Sequence, residues 1–158
     1  MRGTSWWDPR SPRLHVLDAA AAAASAGDSL PPTGMSYVAR LDGAAMVDPD
    51  GVFTQFWERF RLPSYFGWNW DALHDCLRDL HWLPADRYLL VVSNAERVLP
   101  ELPGERHILF RALARAAESW ATSPGGHPGE GIPFNSVLLC DAAHTARLRE
   151  EVSALGPS

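Results

Sequence analysis

Three aspartates, Asp71, Asp75 and Asp79, recur at intervals of four in the stretch WNWDALHDCLRDL, interleaved with His74, Cys76 and Arg78. Three chemistries could use these residue types. A carboxylate beside a histidine can exchange protons, histidine and cysteine can ligate a metal, and a row of carboxylates can meet a cationic surface. Spacing separates the three. On a helix His74 and Cys76 point to well-separated faces, and two cysteines in the whole chain cannot build a zinc framework. His74 and Asp75 point about 100° apart, so sequence neighbourhood gives them no pairing geometry. No serine or cysteine nucleophile, glycine-rich loop or metal cluster accompanies them, and Cys76 belongs to an apolar stripe. We therefore expect no catalytic residues, no metal and no cofactor. With Asp71 at 0°, Asp75 falls near 40° and Asp79 near 80°, while Leu73, Cys76, Leu77 and Leu80 cluster at about 140–240°. The apolar side docks the helix and the acidic side faces outward. Such a row repels itself by about 0.2–0.5 kcal/mol per i,i+4 pair. A merely solvated face would mix signs and favour Glu and Lys. Tyr65, Phe66, Trp68 and Trp70 lie just before it, and rigid aromatics beside fixed carboxylates are the material of a protein interface. This face is expected to meet something positive.

The flanking pattern supplies elements to hold such a helix. Asn69 suits an N-cap, which puts Asp71 in the first turn where the helix dipole favours negative charge; the helix is expected from about Asn69 or Trp70 to His81. SYVARLDG reads as a short strand, and VDPDGVFTQFWERFRL as a helix with Phe53, Phe56, Trp57 and Phe60 at helical spacing. Tyr88 to Val92 is a strongly apolar strand. GERHILFRALARAAESWA is an amphipathic helix with Ile108, Leu109, Leu113, Ala116, Ala117 and Trp120 on one side. A Gly/Pro loop, TSPGGHPGEGIP, leads to a last apolar strand, FNSVLLC, and AAHTARLREEVSAL reads as a terminal helix. Apolar strands alternating with helices imply an α/β domain with a small parallel sheet.

Composition agrees. A chain of 158 residues with 46% apolar and 21% charged residues suits one globular domain with a real core. A net charge of −5 and a pI near 5.6 argue against nucleic acid or an anionic membrane as partner. Cys76 and Cys140 each sit in an apolar run and read as reduced core residues, which favours a reducing, cytoplasmic setting. No run of about 20 apolar residues offers a membrane span. Near the N-terminus, Asp8, Arg10, Arg13 and Asp18 interrupt any secretory apolar core. An alanine run and LPPTG follow, and then Met35, which could itself be a start. Residues 1–34 are read as a low-complexity extension, and 35–158 as the domain, with an extra loop near 121–133.

LPSYFGWNWDALHDCL resembles the signature of the barstar family, intracellular protein inhibitors of barnase-type ribonucleases. Leu62, Pro63, Tyr65, Phe66, Gly67, Asn69, Asp71, Ala72, Leu73, Asp75, Cys76 and Leu77 match it, and a weaker likeness runs from about Tyr37 to Cys140. The resemblance implies a three-stranded parallel sheet flanked by helices, no catalytic activity, and an extracellular-type microbial ribonuclease with a basic active site as partner of a monomeric inhibitor. It implies that Asp75 takes the place of an RNA phosphate in that site. Carried over by position, Tyr65, Asn69, Trp70, Asp71, His74, Asp75, Arg78, Asp79 and Leu80 would face the nuclease. His74 departs from the tryptophan of the best-known inhibitor, and Arg78 and Asp79 from a small polar residue and a glycine. On the later helix, where the family has another acidic contact, Arg115 or Ala116 is the nearer match and Glu118 a loose substitute. The alternative is a barstar-fold module whose partner is not a ribonuclease.

Overall fold

The computed structural model describes residues 14–24, 34–122 and 131–155. Four strands, β1 (Leu14–Asp18), β2 (Ser36–Asp42), β3 (Arg87–Ser93) and β4 (Phe134–Cys140), form one sheet in the order β1-β4-β3-β2. Every pairing is parallel. The helices are α1 (Ala19–Ala24), α2 (Pro49–Arg59), α3 (Trp70–Asp79), α4 (Pro103–Ala121) and α5 (Ala142–Ser153). Central β3 and β4 are nearly continuous apolar runs, as strands covered on both faces require. On one face Tyr88, Leu90, Val92, Phe134, Leu138 and Cys140 join the main core with the helices; on the other, Leu89, Val91 and Val137 form a smaller cluster.

The main core is built around aromatic rings. Phe56 stacks on Phe60 and Phe60 on Phe134, with centroids 5.7 and 6.5 Å apart. Tyr88 packs 5.2 Å from Trp120 and donates its hydroxyl to the Leu83 carbonyl at 2.6 Å. Tyr37, on β2, donates to the carbonyl of Arg59 and so ties α2 to the sheet edge.

The sheet has four strands where three were expected, and the fourth comes from the stretch read as an extension. Leu14 and Val16 are buried in the main core, and β1 pairs with β4 along its whole length, Leu14 opposite Ser136 and Asp18 opposite Cys140. Arg149 of α5 donates to the Val16 carbonyl at 3.0 Å. LHVLD is a short alternating run beside an alanine tract, a signal too brief to read as a strand without its partner. The remaining residues of 1–33, and the Gly/Pro loop at 123–130, lie outside the described residues. Ile108 also differs from expectation. It is 42% exposed, because it stands about 100° behind Leu109 on α4 and off the stripe made by Leu109, Leu113, Ala116 and Ala117. Arg106, not singled out in the sequence, is buried: it pairs with Glu151 of α5, donates to the Val98 carbonyl at 3.3 Å and lies over the Phe110 ring.

Deleting residues 1–33 leaves the family signature intact but removes the two large buried side chains Leu14 and Val16 from the core, each worth about 1.5–3 kcal/mol. We expect the thermal midpoint to fall by roughly 10 °C at about 2–4 °C per kcal/mol. An unchanged transition would restore the reading of this segment as a dispensable extension.

Candidate protein-binding face

Helix α3 is fixed at both ends. At the start, Asn69 accepts the Ala72 amide at 2.8 Å and donates its own side-chain amide to the Gly67 carbonyl at 3.1 Å. It is the expected N-cap, and with both ends of its amide engaged it shapes the loop as well as the helix. At the other end Leu80 turns into the left-handed region (φ 49°) and its N–H closes on the Cys76 carbonyl at 3.1 Å. Along its length Leu73, Cys76 and Leu77 are buried. Two tryptophans attach it to α4: Trp70 donates to Glu105 at 3.2 Å, and Trp120 donates to the Leu77 carbonyl at 2.8 Å.

This docking leaves Asp71, Asp75 and Asp79 exposed in a row. Among the described residues Asp71 and Asp75 make no ion pair. Asp79 lies 2.9 Å from His81 Nδ1, both side chains well exposed. Such a surface pair adds little stability. Tyr65, 66% exposed, flanks the row; loss of hydration and then the charge of Asp79 hold its phenol above the ordinary value. On the opposite flank Arg78 and, from α4, Arg115 are exposed and border His74. Glu118, the other candidate on α4, is half-buried.

Two expected contact residues stand elsewhere. Leu80 is 1% exposed and part of the main core, so it closes the helix and cannot touch a partner as it stands. The resemblance placed it outward, whereas its own position on the apolar stripe predicted burial, and the stripe prevails. Trp70 is half-buried, with its ring 4.9 Å from Phe53 in an edge-on contact; its first task is to hold α3 against α2 and α4. The face therefore brings together Tyr65, Asp71, His74, Asp75, Arg78 and Asp79, with Asn69 at its edge.

Among the described residues His74 makes no hydrogen bond to Asp71 or Asp75, and its Nε2 is buried without a partner. Among the described residues no group of three His, Cys, Asp or Glu side chains could hold a metal ion. Burial and then the Arg78 guanidinium pull the pKa of His74 below 6.5; Asp75 opposes this, Arg115 adds to it, and Asp71 opposes it. His15 on β1 is lowered by burial as well. A histidine whose folded pKa is depressed stabilises the fold in its neutral form. That stability is fully present above the unfolded value of 6.5 and is lost as pH falls below it toward the folded value. We expect the urea midpoint to decline between about pH 7 and pH 5. A His15→Gln, His74→Gln double variant should decline markedly less, and an equal decline would show that these two histidines are not its source.

Among the described residues, no helix is long and apolar enough to cross a membrane. Among curated proteins, none matches the chain. A family model described as Barstar (barnase inhibitor) matches residues 36–138, which run from the start of β2 into β4 and include the whole face around α3. With that match spanning about two-thirds of its length, on an all-parallel sheet flanked by helices, the chain belongs to the barstar family.

Proposed function

We propose that the chain inhibits a barnase-type ribonuclease by seating α3 in the active-site cleft, with Asp75 occupying the place of an RNA phosphate. The observation that carries this reading is the exposed row Asp71, Asp75, Asp79 on a helix held rigid at both ends, in a member of a family described as barnase inhibitor. A phosphate-binding cleft presents fixed cations. A carboxylate row that is already ordered meets them without the entropy cost of arranging flexible side chains, and its self-repulsion is relieved on contact. Asp75 sits in the middle of the row, with Asp71 and Asp79 one turn to either side. The inhibitor acts by occlusion and performs no chemistry of its own. Both cysteines are free and buried, consistent with work in a reducing cytoplasm, where such an inhibitor would guard the cell against a nuclease it makes or meets.

One observation favours a second reading. Arg78 and Arg115 border His74 on the α4 side of the row, so the face is acidic along one strip and cationic along the next. A uniformly basic cleft would meet repulsion there; a partner carrying a carboxylate beside its cations would not. On that reading the same face binds a protein that is not a ribonuclease.

Inhibition of a barnase-type microbial ribonuclease tests the first reading. We expect stoichiometric inhibition that weakens with salt, and Asp75→Ala to weaken it by at least about 30-fold, the scale for truncating one member of a buried charged pair. Absence of inhibition would leave the family assignment standing and sink the function. Arg115→Glu, run beside it, separates the readings. Against a uniformly basic cleft it should improve inhibition by roughly fivefold, mostly through faster association; against a partner with a carboxylate opposite Arg115 it should weaken binding.

A further inference from the structure

Five tryptophans lie among the described residues, and they divide into two kinds. Trp70, Trp82 and Trp120 pack against the main core, and each has its indole N–H satisfied, by Glu105, the Phe60 carbonyl and the Leu77 carbonyl. Trp57 and Trp68 are different. They are 42% and 45% exposed, stand outside the core and rest on each other with centroids 5.9 Å apart. Neither indole N–H has a hydrogen-bond partner among the described residues. Trp57 reads by spacing as a core residue of α2, together with Phe53, Phe56 and Phe60, yet those three are buried and it is not.

The pair is also held in place. Trp68 adopts a left-handed backbone (φ 54°) that costs a non-glycine residue about 1 kcal/mol or more. Its ring leans on Phe66, which is buried, with centroids 5.4 Å apart. A strained backbone that displays an indole, with its donor free and a second indole beside it, has the makings of an interface anchor. The pair adjoins the acidic face in the chain: Trp68 lies between Tyr65 and the Asn69 cap, three residues before Asp71. A partner drawn by the carboxylate row carries cations, and the negative π-faces of indoles are where cations next settle. Among the described residues no cation of the chain competes for them, the cation–π contact there being that of Arg106 over Phe110, in the interior.

We propose that the interface extends past α3 onto the Trp57–Trp68 pair, which receives an arginine or lysine side chain of the same basic protein that meets Asp71, Asp75 and Asp79. This rests on the reading of α3 as a protein-binding helix. The acidic row supplies attraction that salt screens, and the indole pair supplies a contact that salt screens less.

The test measures inhibition of a barnase-type ribonuclease by the whole chain carrying Trp57→Ala, Trp68→Ala, Trp68→Leu, Trp68→Phe or Asp75→Ala, with thermal midpoints as control. We expect each alanine variant to lose about tenfold in affinity with the midpoint little changed, and the loss to persist at high salt. Trp68→Leu should lose as much as Trp68→Ala, and Trp68→Phe much less. Retention by Trp68→Leu would overturn the cationic occupant in favour of an aliphatic one. Wild-type affinity in both alanine variants, while Asp75→Ala is impaired, would overturn the indole site alone. No inhibition by the wild-type chain would overturn the reading of α3 and this proposal with it. A dimer of the free chain that Trp57→Ala disperses, seen by sedimentation, would assign the pair to a second copy instead and overturn the proposal.

Discussion

Leu73 and Leu77 are fully enclosed by the core, and a helix that buries two residues one turn apart has lost its freedom to rotate. Each residue advances about 100°, so enclosing Leu73, Cys76 and Leu77 determines where Asp71, Asp75 and Asp79 point. The rest of the face follows from that one docking. Asn69 sets where the helix begins, Leu80 where it stops, and the indole bonds of Trp70 and Trp120 fix its position along α4. Loosening the apolar contact would disperse the carboxylates even if none of them were changed.

The chain treats buried and exposed charge in opposite ways. Its interior cation, Arg106, has a carboxylate, a carbonyl and an aromatic face all turned toward it, as a charge taken from water requires. The aspartates of α3 receive no such compensation from within, apart from the exposed histidine beside Asp79. Among the described residues Asp71 and Asp75 have no ion-pair partner, so their charges are left for solvent or for another molecule. On the proposed reading, the cationic flank of Arg78 and Arg115 would limit which basic surfaces fit, a form of selectivity by repulsion.

Much of this was legible in the residues, and the reasons are local. Asn69 as cap, the opposed faces of α3, and the apolar runs of β3 and β4 depend on neighbours within a turn or within a strand, which spacing encodes. Misplaced features depend on partners far away in the chain. LHVLD becomes a strand because β4 offers it a ladder, and Arg106 is buried because Glu151 comes to it from α5. Trp57 has the spacing of a core residue but stands at one edge of the arc that Val52, Phe53 and Phe56 bury, about 140° from Val52, and is left partly exposed. Leu80 is the instructive conflict. Periodicity and family likeness disagreed about it, and periodicity described the packing correctly.

The sheet order has a consequence for synthesis. β1 is the first described strand and β4 the last, and they are neighbours, so Leu14 waits for a partner about 120 residues downstream. At roughly 5–20 residues per second, that delay on the ribosome is on the order of ten seconds. Once β3 is made, and until β4 follows about 40 residues later, β3 has β2 on one side and an open edge on the other, where a foreign strand could pair. The last strand closes both gaps at once, since it slots between β3 and β1. Completion of the sheet therefore waits for residues 134–140, well after the helix that carries the acidic face has been made.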